Sequence, residues 1–333
     1  MNKTAVVLIN LGTPDGPGKS KVSKFLSKFL NDYRVIDLPY IARKLLVNLI
    51  IVPFRAAKSA KMYQSVWTEN GSPIIYHGTN LINKLNERKS ENIEFFLTMR
   101  FGEPSLVKAL QEIRSKHFSK IIFVPLFPQY ASSTSGSVIE YFLQIIQKWT
   151  EIPSIQIINE FYNHTAFINS WIQRLTPYNP KSYDHILFSF HGLPVNQVED
   201  THFNDTCETH HCRSEINQSN RFCYQAQCYE TMRLIANKLE LKESDYSICF
   251  QSRFGKNWLN PFADKVIEEK AKQGIKKLLV IPLSFVADCL ETNFEIATEY
   301  AHLFKELGGE KLQMVESLNA EDYWVEALKE ITL

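Results

Sequence analysis

LFSFHGLP, residues 187–194, is the stretch from which the fold can be read. Its apolar run has the character of a strand buried on both faces, and the run stops at His191, after which Gly192 and Pro194 turn the chain away. That leaves an imidazole at the carboxyl end of a parallel strand, where open α/β sheets place their ligands. On this stretch alone a satisfied structural histidine is the commoner reading. The stretch has an echo in VLINLGTP, residues 7–14, and two further pairs come in the same order: MRFGE (99–103) with SRFGK (252–256), and KIIFVPLFPQY (120–130) with KLLVIPLSFVA (277–287). Three echoes in one order imply a duplicated domain. In this alignment His191 stands opposite Leu11 and Glu291 opposite Thr134, so the ionisable equipment belongs to the second half only.

Outward from this strand, short Val/Ile/Leu/Phe runs alternate with longer amphipathic ones, the pattern of a parallel sheet covered by helices. Strands are predicted at 5–11, 93–99, 120–126, 155–160, 185–190, 246–251, 277–283 and 312–316. Helices are predicted at 20–31, 104–116, 136–149, 225–239, 262–273 and 291–307. The fold class is therefore α/β, doubly wound, in two domains of about 1–162 and 163–310, with the segment 311–333 expected to pack back toward the first.

A chain of 333 residues, 44% hydrophobic, is long enough for two such cores. A net charge of +1 without a long run of one sign gives no phosphate-binding surface, so nucleic acid is not expected as a partner. Met1-Asn2-Lys3-Thr4 leads straight into the strand-like AVVLINL, which favours a cytoplasmic location. The most apolar segment, Leu45 to Phe54, is broken by Asn48 and Pro53 and is too short to span a bilayer.

Two further features carry chemistry. In SFVADCLETNFEIATEY (284–300), Glu291, Glu295 and Glu299 recur every four residues and would form one stripe of carboxylates on a helix. Such a stripe, beside an imidazole, can take protons to water or gather a hard divalent cation; a solvated helix face is the alternative. Cys207, Cys212, Cys223 and Cys228 lie in a polar loop with four, ten and four residues between them. Four thiols so placed read as a metal site, and His202, His210 and His211 alongside keep zinc in contention. Cys249 and Cys289 read as small apolar residues.

LINLGTP, the SPI after Gly71, MRFGEP, PLFPQYASSTSGS, FSFHGLP, FQSRFGKNWLNP and SFVADCLETNFEI together resemble the successive signatures of the ferrochelatases across essentially the whole chain. The resemblance implies a chelatase-like fold of two Rossmann-like domains with a porphyrin cleft between them. It also implies insertion of Fe(II) into protoporphyrin IX, with loss of two protons, to make haem b. Carried over by motif, His191 is the catalytic histidine, Glu291 the acid beside it, with both facing the iron, and Glu295 and Glu299 form a proton exit line. An imidazole, whose ordinary pKa is about 6.5, can accept a pyrrole proton at neutral pH.

Further substrate contacts are expected at Arg100, which would pair a propionate, and at Tyr130, Ser132, Ser133, Thr134, Arg253 and Trp258. For Arg100 a surface role, and for Trp258 a core role, stay open. Leu11 occupies a position that resembles a tyrosine in the coproporphyrin-using branch, which favours protoporphyrin here. Residues 22–57 resemble the family's lip over the pocket. There Leu38, Tyr40, Ile41, Leu45, Leu46, Leu49, Ile50 and Phe54, flanked by Arg43, Lys44, Arg55 and Lys58, would suit peripheral contact with a membrane as well as with porphyrin. Some microbial relatives carry an internal [2Fe–2S] cluster, which the four cysteines would match, with zinc as the competitor. The rival functions are a chelatase for another tetrapyrrole, such as coproporphyrin or a cobalt-inserting relative's substrate, and a non-catalytic haem or metal carrier.

Overall fold

The computed structural model describes residues 3–333; Met1 and Asn2, part of the start read for localisation, lie outside the described residues. The chain forms two compact units. The first comprises residues up to Phe127, Ser132–Glu160 and Thr332–Leu333; the second comprises Pro128–Ala131 and Phe161–Ile331.

The first unit is built on four parallel strands, β1 (Thr4–Gly12), β2 (Ile93–Phe101), β3 (Lys120–Pro125) and β4 (Ser154–Ile157), in the order β2-β1-β3-β4. Helices cover both faces of β1, so Ala5 to Ile9 are wholly buried and the strand reads as unbroken apolar sequence. Phe123 of β3 stacks on Phe142 of the following helix at 4.2 Å, which fixes one side of this core. The edge strand β4 instead alternates half-buried and exposed positions.

The second unit repeats this plan with β5 (His185–His191), β6 (Tyr246–Gln251), β7 (Lys277–Pro282) and β8 (Lys311–Met314), in the order β6-β5-β7-β8. The register of the two sheets matches residue for residue. Ile9 pairs with Pro125 as Ser189 pairs with Pro282, and Leu126 and Leu283 donate to the carbonyls of Ile9 and Ser189 at 2.8 and 3.0 Å. His191 is thus the counterpart of Leu11. One echo fails this test. Asn10 pairs with Met99 and Phe190 with Phe250, so Arg100 corresponds to Gln251, and the RFG of 253–255 lies two residues further on, in a loop.

All eight predicted strands form, and the principal differences are elsewhere. Helix Pro73–Glu87 was not predicted because its Gly78 and asparagines argue against one; a Cβ at Gly78 would lie 2.9 Å from Leu97 Cδ2, so the residue lets the helix approach β2 closely. Helix Thr165–Leu175 was also not predicted, although its apolar residues keep helical spacing: Phe167, Ile168, Trp171 and Leu175 share one buried face. The C-terminal segment differs from expectation as well. β8 completes the second sheet, and Trp324 packs on Phe161 and Phe167 of the second unit with ring centroids 6.0 Å apart. Buried Asp288 secures it, accepting from Ser317 N at 3.1 Å and Asn319 Nδ2 at 2.7 Å. Only Thr332 and Leu333 group with the first unit.

Candidate active site

His191 ends β5, half-buried, and its ring nitrogen Nδ1 lies 2.7 Å from the carbonyl oxygen of Gly192. A carbonyl can only accept, so Nδ1 carries the proton and the neutral ring keeps its Nε2 lone pair for chemistry. The backbone is held just as closely. His191 N donates to Ser284 Oγ at 3.2 Å, its carbonyl accepts from the Tyr224 hydroxyl at 2.9 Å, and Tyr224 and Ser284 hydroxyls are 2.9 Å apart. Gly192 N donates to Gln251 O at 2.7 Å, and a Cβ at 192 would lie 2.8 Å from that same oxygen. Glycine is therefore required where the chain leaves the strand. Phe285 meets the imidazole edge-on at 6.2 Å.

Glu291 opens the helical segment Glu291–Tyr300, which is wound as a π-helix, a form found often at functional sites. The LET motif has a local reason: Thr292 is buried and its hydroxyl accepts from Cys289 N at 3.0 Å, which folds the chain into the helix and sets Glu291 at the entrance. Burial pushes the neighbouring Cys289 thiol well up, and the Glu291 charge adds to that. Glu295 is placed differently from the expected relay. It accepts from Ser252 N at 2.7 Å, Tyr300 Oη at 2.7 Å, Gln251 Nε2 at 3.4 Å and the Ser252 hydroxyl. Ser252 has φ +61°, so the carboxylate anchors a left-handed residue at the end of β6. Burial, then the Glu295 charge, raises the Tyr300 phenol. Glu299 is exposed at the outer end of the segment.

The other predicted positions divide. Trp258 packs over Gly192, its Cε3 3.4 Å from where a Cβ would be, and is bridged to Pro194, so it lies beside the His191 turn. Tyr130 N donates to Gln227 Oε1 at 2.6 Å and its ring meets Phe222 at 5.9 Å, which places it in the second unit near the cysteine loop. Arg100 is already engaged: it donates to Asp32 Oδ2 at 2.9 Å and Ser137 Oγ at 3.0 Å and lies over the Tyr141 ring at 4.3 Å. Arg253 is likewise ion-paired to Asp264 at 2.6 Å. Ser132 accepts from Arg34, Ser133 is buried and Thr134 half-buried, all in the turn leading into helix Ser137–Ile146. Leu11 is half-buried after β1's core, its N–H bonded to Asn10 Oδ1 at 2.8 Å. Sequence reasoning missed Tyr224 and Ser284. The one available signal for Tyr224 is its place directly after the cysteine loop at a helix start.

In that loop the structure gathers His202, Cys207, Cys212 and Cys223, all buried, with their ligand atoms all within 4.8 Å of one another. Cys228 is not in the group; it is buried beside the Tyr224 phenol, and burial pushes its thiol well up. His202 takes its expected place. Hydrogen bonds from Cys207 and Cys212 lower the Cys223 thiol below its ordinary range.

Comparison with known proteins agrees with this picture. The ferrochelatase family profile matches residues 3–333. A ferrochelatase of Legionella pneumophila (strain Lens) is 40% identical, covering 99% of this chain and 98% of its own length. A ferrochelatase of Coxiella burnetii (strain CbuK_Q154) is 39% identical over 98% of this chain and 92% of that one. Among solved structures, SirB from Bacillus subtilis with Fe3+ is similar in fold, with a TM-score of 0.54 and 10% identity over 99% of this chain and 96% of that one. DR2241 from Deinococcus radiodurans, described as structurally similar to chelatases, has a TM-score of 0.51 at 10% identity, covering all of this chain and 55% of its own. With the profile spanning the described chain and relatives at this identity along nearly their whole length, the protein belongs to the ferrochelatase family.

Proposed function

We propose that the protein inserts Fe(II) into protoporphyrin IX, a lyase-class reaction that releases two protons and yields haem b, the last step of haem synthesis. The observation that carries this reading is the fixed tautomer of His191. With Nδ1–H given to the Gly192 carbonyl, Nε2 is available to accept a pyrrole proton. Once protonated, the imidazolium keeps that same carbonyl as a partner, so the base needs no reorganisation. Glu291, at the entrance of its helix, is the acid that assists with iron or proton; Glu295 holds the end of β6, and Glu299 lies further along towards solvent. Planar porphyrin resists metal entry, and a wall that grips and bends it uses binding energy to expose a nitrogen lone pair. Trp258, beside the His191 turn, suits stacking on the macrocycle.

Leu11 supports protoporphyrin over coproporphyrin. A fluorometric assay offering Fe(II) or Zn(II) with protoporphyrin, coproporphyrin and sirohydrochlorin tests this. Turnover is expected with protoporphyrin and should collapse in His191→Ala and Glu291→Gln; preference for another tetrapyrrole, or wild-type turnover in both variants, would overturn the assignment.

The lip supports a cytoplasmic protein that touches a membrane. Between Tyr40 and Phe54 one helical face is buried through Val47 and Val52, while Tyr40, Ile41, Leu45, Leu49, Ile50 and Phe54 are exposed, Phe54 by 81%. Lys44, Arg55 and Lys58 flank this row, a composition suited to an anionic surface. Among the described residues no helix is long and apolar enough to cross a membrane. Flotation on anionic liposomes is the test, and failure to float would count against it.

A further inference from the structure

We infer that His202, Cys207, Cys212 and Cys223 form a mononuclear, tetrahedral zinc site that closes the loop before helix Tyr224–Lys238. The distances are those of one coordination sphere. Zn–S bonds of ~2.3 Å and Zn–N bonds of ~2.0–2.1 Å at tetrahedral angles place ligand atoms ~3.8 Å (S to S) and ~3.5 Å (S to N) apart. Here Cys207 Sγ lies 3.6 Å from Cys223 Sγ and 3.7 Å from His202 Nε2, and Cys212 Sγ lies 3.4 Å from His202 Nε2. Every remaining pair in the group is within 4.8 Å.

This arrangement does not fit a [2Fe–2S] cluster on the four cysteines. Such a cluster puts two ligands on each of two irons, so ligands on different irons stand much further apart than one tetrahedral edge. Here all four ligands crowd around one point, the fourth is an imidazole, and Cys228 is outside the group. Three thiolates with one histidine are a structural-zinc donor set.

The surroundings are built for it. His210 stacks on His202 at 4.4 Å and 12°, and is itself held by Ser219 Oγ at 2.9 Å and Asp205 Oδ2 at 3.4 Å. Buried Asn220 donates to the carbonyls of His210 and Glu215, each at 3.0 Å, while Cys223 N donates to Asn220 O at 2.8 Å. From Phe203 to Phe222 the chain has no helix or strand of its own, so a metal would supply the folding energy that a ladder cannot. The consequence reaches the active site. Cys223 immediately precedes Tyr224, whose hydroxyl holds the His191 carbonyl, so ligation seats a positioning residue of the catalytic strand.

Elemental analysis of the purified full chain, with sulfide determination and visible spectroscopy, tests this without reference to turnover. The expected result is about one zinc per chain, no acid-labile sulfide and no visible bands, with Co(II) exchange giving the intense visible absorption of tetrahedral thiolate coordination. His202→Ala should lower zinc content about tenfold after dialysis against a chelator, and Cys228→Ser should leave it unchanged. Iron in place of zinc would overturn the inference, with or without sulfide. So would metal retained in His202→Ala and lost in Cys228→Ser, or folded protein grown with zinc that holds none. The cobalt spectrum of the unmodified chain decides the geometry even if His202→Ala fails to fold.

Discussion

Replacing Glu295 with glutamine separates two roles that the sequence pattern cannot. If the carboxylate anchors the end of β6, its loss is a loss of stability. Glutamine keeps one carbonyl oxygen for Ser252 N and Tyr300 Oη, but turns an amide toward Ser252 Oγ and Gln251 Nε2, and the latter is itself a donor. Hydrogen bonds to a charged acceptor contribute about 1.5–3 kcal/mol each, and neutral ones about 0.5–1.5 kcal/mol. Two charge-assisted bonds weakened to neutral strength and one donor left facing a donor amount to about 2–4 kcal/mol. In addition, Ser252 at φ +61° relies on this acceptor to offset a left-handed conformation worth about 1–2 kcal/mol. For a unit of this size the expected fall in Tm is roughly 6–24 °C. Thermal unfolding by circular dichroism, with kcat measured well below the transition, reads both quantities. A kcat reduced by less than about tenfold with a clearly lowered Tm is expected; an unchanged Tm with kcat down by more than about a hundredfold would refute the anchor and return Glu295 to a proton path.

Tyr224→Phe removes the donor to the His191 carbonyl and leaves Ser284 with one partner fewer, so kcat should fall with little change in KM, at a stability cost of about 1–2 kcal/mol by urea unfolding. Gly192→Ala forces a Cβ to 2.8 Å from Gln251 O and should abolish turnover by displacing His191, while Trp258→Phe, which keeps an aromatic ring packed over the same turn, should retain a measurable rate. His185 is buried with its Nε2 2.8 Å from Ser247 Oγ, and burial pushes its imidazole down to about 4. The unfolded chain therefore binds a proton near pH 6.5 that the folded one refuses, so stability is full above about pH 6.5 and is lost as pH falls towards about 4, by up to about 3 kcal/mol. His185→Gln should flatten the Tm profile across that window. Stripping zinc with a thiol-reactive reagent and chelator should lower the Tm of the second unit by several degrees, and restoring zinc should return it.

The fold was legible because its central strands are covered on both faces. β1 and β5 read as unbroken apolar runs, and their matching order within each sheet is the spatial form of the echoes in sequence. The features that escaped did so for physical reasons. Helix Pro73–Glu87 forms through close packing on β2 despite poor local propensity, and the segment after β7 winds as a π-helix, which a four-residue spacing of glutamates does not reveal. Residue type singles out His191 but not the groups that hold it: a backbone carbonyl, a serine and a tyrosine carry no distinctive pattern. The cysteine loop was read by counting like residues, which favoured four thiols. Geometry substitutes His202 for Cys228, because ligation depends on where the side chains meet and not on their spacing along the chain.

The duplicated units differ in what they place on a shared framework. Both units carry the same strand order and the same return of the chain at the ends of their second strands: Met99 N donates to Pro104 O at 2.7 Å, and Phe250 N to Pro261 O at 2.9 Å. At this shared framework the first unit places Leu11 and Arg100, with Arg100 neutralised by Asp32; the second places His191 and Gln251, with Gln251 bonded to Ser189 and reaching Glu295. The two halves also differ in the chain beyond the first strand of each sheet. The second unit's strand leads through a short helix, Val195–Glu199, to the loop that brings His202 and three cysteines together, and this loop delivers Tyr224 to the back of His191. A duplicated sheet supplies two equivalent strand ends. The inserted loop supplies a support for only one of them, and that is the end at which a histidine can be held in a single tautomer.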